Sequence, residues 1–155
     1  VDAALARGWR VRILDNLQRQ THRDGKPPWV PAEAEFIRGD VRHRRDWEQA
    51  LDGVHVVFHE AAYGGYMPEI ARFIDSNGVG TALMLETIRD RRLPVKKVVV
   101  ASSQAVYNEG AYACSEHGPF FGTTRPVAQL ARGDFDVHCP HCDRVADPIP
   151  TSEDA

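Results

Sequence analysis

Short apolar runs alternate with amphipathic stretches over the first two thirds of the chain. Runs rich in Val, Ile and Leu are typical of strands, whereas apolar positions that recur every three to four residues predict helices packed on a sheet. The predicted strands are 9–15, 35–41, 54–58 and 98–101, and the predicted helices are 1–7, 45–51 and 68–91. Strands that alternate with helices predict an α/β fold built on a doubly wound parallel sheet.

The remaining segments differ from this pattern. Residues 98–101 are Val-Val-Val-Ala, which predicts a strand buried on both faces. Residues 16–34 carry a glycine and three prolines among several charges, so we expect a surface loop there. Beyond residue 107 the chain is rich in glycine, proline, histidine and cysteine. The predicted organisation is a domain at 1–107, a Cys/His-rich insertion at 108–150 and the approach to a further helix at 151–155.

Composition narrows the possible partners. The chain has 155 residues, of which 43% are hydrophobic and 26% charged, and this suits a globular domain with its own core. A net charge of −3 gives no overall attraction for nucleic acid or anionic lipid. No apolar run approaches the roughly 18 residues that a membrane span needs. We therefore expect a soluble protein with neither nucleic acid nor a membrane as partner.

Asp15 ends the first predicted strand, directly after a short helix that Gly8 closes. In a dinucleotide-binding βαβ unit, an acidic residue at the end of the second strand accepts hydrogen bonds from the adenosine ribose hydroxyls, and its charge repels the 2′-phosphate of NADP. The pattern therefore favours NAD and a Rossmann-like sheet. The alternative is an ordinary strand-end carboxylate that caps a turn. The glycine-rich turn of such a unit is expected upstream of Val1 in a longer protein.

This interpretation makes a topological prediction. In the strand order 3-2-1-4-5-6 the first strand is central. If the strand ending at Asp15 is the second of that order, no segment of this chain supplies the first. We therefore expect a parallel sheet truncated at both ends, with a gap between the strand that ends at Asp15 and the strand that ends at Phe58.

Five short segments carry a family resemblance in their order and spacing. They are Ile13-Leu14-Asp15-Asn16-Leu17, Gly39-Asp40-Val41, His59-Glu60-Ala61-Ala62, Asn77-Gly78-Val79-Gly80-Thr81 and Ala101-Ser102-Ser103-Gln104-Ala105-Val106-Tyr107. Together they resemble the extended short-chain dehydrogenases/reductases, the NAD-dependent epimerase/dehydratase family that acts on nucleotide sugars. The resemblance covers residues 1–107.

The resemblance implies a set of cofactor-binding residues, namely Asp15, Asn16, Asp40, Val41, Ala61, Ala62 and Asn77. In this family Asp15 and Asn16 would hold the adenosine ribose. Asp40 and Val41 would contact the adenine, and the backbone of Ala61 and Ala62 would line the path to the nicotinamide ribose. Asn77 would support the active site from its helix, whereas His59 and Trp47 are expected to be structural.

The resemblance also assigns one catalytic residue, Ser103, which would hydrogen-bond the reacting sugar hydroxyl and a catalytic tyrosine. That tyrosine belongs to a Tyr-x-x-x-Lys pair, whose lysine lowers the tyrosine pKa so that the phenolate can remove a hydroxyl proton. No tyrosine of this chain has a lysine at the fourth following position; those tested are Tyr63, Tyr66, Tyr107 and Tyr112. We expect the pair beyond residue 155, so the fragment alone should be inactive. Ser103 could also simply satisfy backbone groups.

Cysteine and histidine spacing predicts a metal site in the insertion. Cys114 and His117 form a C-x2-H pair, and Cys139 and Cys142 form a C-x2-C pair. Cys₃His is a common tetrahedral set for structural zinc, whose binding energy would supply folding energy that a small core cannot. His138 and His141 could replace His117, and the same spacing would also suit unligated reduced thiols or a redox C-x2-C pair. These thiols indicate a reducing, cytoplasmic location.

The sequence as a whole predicts an internal fragment of an NAD-dependent nucleotide-sugar epimerase or dehydratase. In the complete enzyme, a homodimer by resemblance, hydride would pass from a sugar carbon to NAD through a transient keto-sugar and return to the opposite face. The alternatives are a dehydratase or decarboxylase on the same scaffold and a non-catalytic NAD-binding regulator. A zinc-ribbon adaptor for nucleic acid is disfavoured because the insertion is acidic around its C-x2-C pair.

Overall fold

The computed structural model describes residues 1–65 and 67–153, which fall into two units, Val1–Ala101 and Ser102–Ala155. Tyr66, one of the tyrosines tested for the catalytic pair, lies outside the described residues. So do Asp154 and Ala155, at the end of the predicted approach segment. The predicted boundaries after residues 107 and 150 stay predictions.

The first unit alternates strands and helices, as the apolar pattern predicts. Its strands are β1 (Arg12–Asp15), β2 (Glu35–Arg38), β3 (Val56–His59) and β4 (Lys97–Val100). Its helices are α1 (Asp2–Leu5), α2 (Arg44–Ala50), α3 (Ile70–Phe73) and α4 (Gly80–Asp90). A left-handed glycine, Gly8 at φ 74°, follows α1, and residues 16–34 form the expected loop without a regular element.

The predicted helix at 68–91 is interrupted. The segment Ile74–Val79 between α3 and α4 is π-helical. A π-helical turn holds one residue more than an α-helical turn, and such turns occur frequently at functional sites. Asn77, a predicted site residue, lies within this segment.

The four strands of the first unit form two separate parallel pairs. β1 pairs with β2, so that Asp15 lies opposite Arg38, and β3 pairs with β4, so that His59 lies opposite Val100. Within residues 1–65 and 67–101 no ladder joins the two pairs. The gap expected beside Asp15 is therefore present. The α/β class with parallel strands is confirmed, whereas the described residues do not form one continuous sheet.

The core of this unit centres on four buried side chains, Trp47, Leu51, Val57 and Met84. Trp47 Nε1 also donates a hydrogen bond to Val41 O at 2.7 Å, which ties α2 to the segment after β2. Each such side chain stabilises the fold by about 2 kcal/mol through burial. Trp47 is the structural residue that the sequence predicts.

The prediction that residues 98–101 are buried on both faces is wrong. Val100 is 53% exposed, and Phe58 on the neighbouring strand is 57% exposed. Of this strand pair, Val57 and Val98 reach the core cluster. Burial on both faces needs a covering layer on each side, and among the described residues of this unit the core lies against one side only.

The second unit contains an antiparallel sheet that the sequence does not predict. Its strands are β5 (Ala111–Cys114), β6 (Gly118–Phe121) and β7 (Asp147–Ile149), in the order β6–β5–β7. A 3₁₀ turn, Gln104–Tyr107, precedes the sheet, and the short helix α5 (Val127–Ala131) follows β6. In neither unit is any described helix both long and apolar enough to span a bilayer.

Candidate functional site

A crevice of ≈ 200 Å³ opens where β1, β2 and β3 end. In open α/β sheets, ligands bind outside the carboxyl ends of the strands, where the strand order reverses. The lining residues follow the three strand ends and include part of the loop after β1: Leu14, Asp15, Asn16, Gln18, Thr21, His22, Gly39, Asp40, Val41, Glu60, Ala61, Ala62, Tyr63 and Ser76. The crevice therefore has the position expected of a dinucleotide site.

Six of the seven predicted cofactor-binding residues line this crevice: Asp15, Asn16, Asp40, Val41, Ala61 and Ala62. They come from three strand ends that are far apart in sequence, and the fold brings them together. The seventh, Asn77, does not line the crevice but hydrogen-bonds to Tyr63, which does.

Asp15 lies at the end of β1 with its side chain 38% exposed. Its Oδ1 accepts a hydrogen bond from Leu17 N at 2.6 Å, and its Oδ2 lies 3.6 Å from His22 Nε2. Leu17 has a positive φ of 53°, so the chain turns sharply after the strand. This turn holds Asp15 in the lining of the crevice. The turn-capping role that the sequence leaves open is thus fulfilled by one oxygen, while the other faces His22.

Asp40 is held on several sides. Arg42 donates to its carboxylate from Nε at 2.9 Å and from Nη2 at 2.8 Å, and Asn16 Nδ2 donates to it at 3.0 Å. The side-chain hydrogen bond from Arg42 is the largest cause that holds the pKa of Asp40 well below its usual range. Asp40 is therefore a fixed carboxylate, and its link to Asn16 joins the ends of β1 and β2.

Gly39 makes this approach of two strand ends possible. A Cβ at Gly39 would lie 2.8 Å from Leu14 Cδ1 and 3.0 Å from Asp46 Cγ. Asp46 Oδ2 accepts the backbone N–H of Asp40 at 2.8 Å from the first turn of α2. A larger residue at position 39 would separate Asp46 from this backbone and displace Asp40.

Asn77 connects the π-helical segment to the crevice. Its Oδ1 accepts from Tyr63 N at 2.7 Å, and its Nδ2 donates to Tyr63 O at 3.0 Å. The Tyr63 hydroxyl donates to Glu69 at 3.0 Å, and burial is the largest cause that raises the pKa of this phenol. The segment after β3 that lines the crevice is thereby anchored to the π-helical segment Ile74–Val79.

His59 supports the same segment from the core. It is 5% exposed, and its Nε2 lies 2.9 Å from Thr81 Oγ1. The Thr81 hydroxyl donates its hydrogen to Asn77 O at 2.7 Å, so the contact with His59 requires Nε2 to be the donor. Burial lowers the pKa of His59, which favours this neutral form. A structural role is what the sequence predicts for this histidine.

Five residues of the crevice belong to none of the five family segments: Gln18, Thr21, His22, Tyr63 and Ser76. The first three lie in the loop after β1, where no hydrophobic period exists from which an orientation could be predicted. Their closeness in sequence to Asp15 is the signal that could have identified them.

Ser103 belongs to the second unit. Its Oγ accepts a hydrogen bond from Ala105 N at 3.1 Å and caps the 3₁₀ turn at Gln104–Tyr107. The backbone-satisfying role that the sequence leaves open for Ser103 is therefore present, and its catalytic role stays a prediction.

The cysteine and histidine pairs of the second unit converge on one point. The ligand atoms of Cys114, His117, Cys139 and Cys142 all lie within 4.8 Å of one another. Cys114 Sγ is 3.6 Å from both His117 Nδ1 and Cys142 Sγ, and Cys139 Sγ is 3.6 Å from His117 Nδ1. Tetrahedral zinc with bonds of about 2.0 to 2.3 Å places its ligand atoms about 3.5 to 3.8 Å apart. The cluster fits such an ion.

Local structure explains this convergence. Cys114 ends β5, and His117 lies in the turn that leads into β6. Cys139 and Cys142 lie in a tight turn in which Asp143 N donates to Cys139 O at 2.9 Å. The backbone N–H of Glu116 and the His117 side chain, in that order, lower the pKa of Cys114 to about 6. The thiolate form of Cys114 is thus favoured, whereas the pKa of Cys142 is raised, with burial the largest cause that raises it.

The alternative histidines occupy other positions. His138 Nδ1 lies 2.8 Å from Asp143 O, and its Nε2 lies 3.2 Å from Asp134 Oδ1, so both ring nitrogens have partners. The His141 ring is tilted against the His117 ring with their centroids 5.1 Å apart. Of the three candidates, His117 is the histidine in the cluster.

Two curated proteins show what the chain is similar to. It is 29% identical over 137 residues to dTDP-L-rhamnose 4-epimerase of Burkholderia thailandensis, covering 84% of this chain and 38% of that protein. It is 33% identical over 110 residues to the decarboxylating sterol-4-alpha-carboxylate 3-dehydrogenase of Mus musculus, covering 71% of this chain and 27% of that protein. The chain thus spans less than half the length of either relative.

The chain is also similar to a solved epimerase structure. UDP-glucose 4-epimerase of Thermus thermophilus in complex with NAD matches 75% of this chain at 29% identity and a TM-score of 0.55, and the match covers 36% of that protein. The profile of the NAD dependent epimerase/dehydratase family matches residues 1–128. The resemblance carried by the five short segments is confirmed, and the chain belongs to the NAD dependent epimerase/dehydratase family.

Proposed function

We propose that the crevice at the strand ends binds the adenosine half of NAD in a nucleotide-sugar epimerase. The observation that carries this proposal is the convergence of six predicted cofactor-binding residues, Asp15 among them, on the lining of one crevice. A resemblance that was merely local would not bring segments from three strand ends to a single cavity. When bound, NAD would accept hydride from a sugar carbon and return it to the resulting keto-sugar.

The residues of the chain have distinct parts in this proposal. Asp15 and Asn16 hold the adenosine ribose, and Asp40 and Val41 contact the adenine. The backbone of Ala61 and Ala62 lines the path to the nicotinamide ribose. Asn77 holds this segment in place through its hydrogen bonds to Tyr63. The negative charge of Asp15 disfavours a 2′-phosphate, so NAD is preferred to NADP.

The substrate follows from the relatives. The bacterial relative is a 4-epimerase named for a dTDP sugar, and the solved neighbour is named for UDP-glucose. We therefore assign a nucleotide sugar as substrate, with Ser103 contacting the reacting hydroxyl. The complete protein is proposed to be cytoplasmic and homodimeric. The decarboxylating relative supports a second candidate, oxidation and decarboxylation on the same scaffold.

Full-length protein tests these candidates. Incubation with NAD and either dTDP- or UDP-hexoses, followed by NMR of the sugar, should show an inverted carbinol centre without net consumption of NAD. Net NADH formation with release of carbon dioxide would favour the second candidate. Asp15→Ala should weaken NAD binding at least 10-fold. It should also reduce the ratio of the affinity for NAD to the affinity for NADP. Failure of the wild-type protein to bind NAD would refute the proposal.

We further propose that Cys114, His117, Cys139 and Cys142 hold a structural zinc ion. The support is the set of 3.6 Å separations between their ligand atoms, together with a donor set of three thiols and one imidazole. Such an ion would tie the turn after β5 to the turn before β7. It would contribute folding energy to a unit with few large buried side chains.

Elemental analysis of the purified protein tests the zinc proposal. One zinc per chain is expected, and Cys139→Ser should remove it. His138→Ala is the matched control, since it alters a histidine next to the same cysteine without removing a proposed ligand, and it should keep the metal. A wild-type protein that is fully folded and free of zinc would refute the site.

A further inference from the structure

His22 is a crevice residue to which neither the motifs nor the family resemblance gives a role. It lies in the loop after β1, with its side chain 21% exposed. Its backbone N–H donates to Gln18 O at 2.8 Å, and its carbonyl accepts from Gly25 N at 3.3 Å. These two bonds hold the backbone of the loop at His22.

The two oxygens of Asp15 have different surroundings. Oδ1 accepts a short hydrogen bond from Leu17 N, at 2.6 Å. Oδ2 is 3.6 Å from His22 Nε2, which is too long for a direct hydrogen bond. Within residues 1–65 and 67–153 Oδ2 accepts no hydrogen bond and forms no other ion pair. Because the two atoms are 3.6 Å apart, one oxygen atom placed beside the pair could lie within hydrogen-bond distance of both.

The chemistry of the two atoms is complementary. A carboxylate oxygen accepts hydrogen bonds, and a neutral imidazole donates from one ring nitrogen. The tautomer with hydrogen on Nε2 is favoured beside a carboxylate, because a lone pair on Nε2 would face a negative oxygen. A group that donates to Oδ2 and accepts from Nε2 at once fits this arrangement, and an alcohol hydroxyl does both.

We propose that His22 is a specificity-determining residue of the adenosine site, and that its Nε2 donates to the same ribose hydroxyl that donates to Asp15 Oδ2. This inference rests on the proposed binding of NAD in the crevice. The pair selects a free hydroxyl, since an oxygen esterified with phosphate has no hydrogen to give to Asp15. His22 therefore provides a second contact that favours NAD over NADP, and this contact depends on one ribose hydroxyl group.

Binding of NAD and of its adenosine 2′-deoxy and 3′-deoxy analogues to the full-length protein tests this inference. His22→Ala should weaken NAD binding about 3- to 10-fold, the scale of one hydrogen bond. It should have no further effect on the analogue that lacks the contacted hydroxyl. His22→Gln, whose Nε2 can still donate, should recover most of the affinity. Asp24→Ala, an exposed change in the same loop, is the control and should leave all three affinities unchanged.

Each other outcome is decisive. If His22→Ala weakens NAD and both deoxy analogues equally, His22 acts on the loop and not on a hydroxyl, and the inference is wrong. If His22→Ala leaves NAD binding unchanged, the inference is also wrong, while the proposed NAD site survives. If the wild-type protein binds none of the three ligands, the NAD site itself fails, and the inference fails with it.

Discussion

Asn77 binds the backbone of Tyr63 at both of its polar groups, accepting from the N–H at 2.7 Å and donating to the carbonyl at 3.0 Å. A side-chain amide here replaces the pairing that a neighbouring strand would give to an extended segment. The segment after β3 can therefore leave the sheet without losing its hydrogen bonds. The π-helical turn at Ile74–Val79 includes Asn77, and Ser76 of the same turn lines the crevice.

Asn77→Asp tests this connection with little change in shape. The substitution keeps an acceptor for Tyr63 N but replaces the donor to Tyr63 O with a carboxylate oxygen. We expect a loss of about 1 to 3 kcal/mol in the free energy of unfolding, because a part-buried carbonyl loses its partner and faces a charge. Urea denaturation measures this change. Asn77→Ala should lower the free energy of unfolding by a similar amount. An unchanged midpoint of urea unfolding in both variants would show that the two hydrogen bonds to Tyr63 are not needed for stability.

Arg12 should contribute to stability as a cap on a helix end. Its Nη1 donates to the carbonyls of Ala50 at 3.0 Å and Asp52 at 2.7 Å, at and just beyond the end of α2, and its Nε donates to Glu35 at 2.7 Å. Arg12→Met should lower the free energy of unfolding by about 1 to 3 kcal/mol, since these carbonyls lose a charged donor.

The control for Arg12 is Arg45→Met. The Arg45 side chain is 85% exposed and forms one surface ion pair, with Asp46. Such a pair contributes little, so the free energy of unfolding should change by less than about 0.5 kcal/mol. Equal destabilisation by the two substitutions would mean that loss of positive charge, and not loss of the cap, is responsible.

The ion pair between Arg42 and Asp40 should affect stability in acid. Asp40 has a lowered pKa in the folded protein, chiefly through the Arg42 hydrogen bond, so the unfolded chain takes up its proton first as pH falls. The stabilisation is complete above the ordinary aspartate pKa of about 3.9 and is lost as pH falls further. Arg42→Met should lower stability at pH 6 and should flatten its decline below pH 4.

Unfolding free energies of wild-type protein and Arg42→Met, measured in urea from pH 6 to pH 2.5, test this prediction. Loss of the proposed zinc in acid would affect both proteins alike and would cancel in the difference between them. The separation between the two stability curves should narrow as pH falls below about 4, because the unfolded chain takes up the Asp40 proton there while the folded wild-type protein does not. A constant separation across the whole range would contradict the linkage.

Removal of the proposed zinc should loosen the second unit. Excess chelator should speed amide hydrogen exchange in β5, β6 and β7, because the proposed ion would fix the turns at the ends of these strands. Exchange in β1 to β4 should stay within error, since the first unit has its own core. Mass spectrometry resolves the two regions, and equal acceleration in both would argue against a local structural role for the metal.

Much of the fold and of the crevice was accessible from the sequence. β1 to β4 follow from short apolar runs, and convergence at Asp15, Asp40 and Ala61 follows from the rule that parallel strands end on the same edge. The spacing of the cysteines predicted their meeting point, because a two-residue spacer brings both side chains of a pair toward one ion.

Other features depend on contacts that no local pattern carries. The π-helical segment Ile74–Val79 has only six residues, which is too short for apolar periodicity to distinguish it from an α-helix. The sheet of β5 to β7 pairs Ala111 with both Phe121 and Ile149, and the second of these contacts spans a segment without regular hydrophobic alternation. The place of His22 follows from the turn that begins at Gln18, within a loop rich in proline.

The two parallel pairs of the first unit have a practical consequence. Within the described residues, β1 and β3 each pair along one edge only. The opposite edge of each strand therefore presents unpaired backbone donors and acceptors. Such margins readily recruit an extended segment from another polypeptide. A sample of these residues produced alone should therefore become more prone to self-association as its concentration rises, and a purification that keeps it dilute should preserve a uniform species.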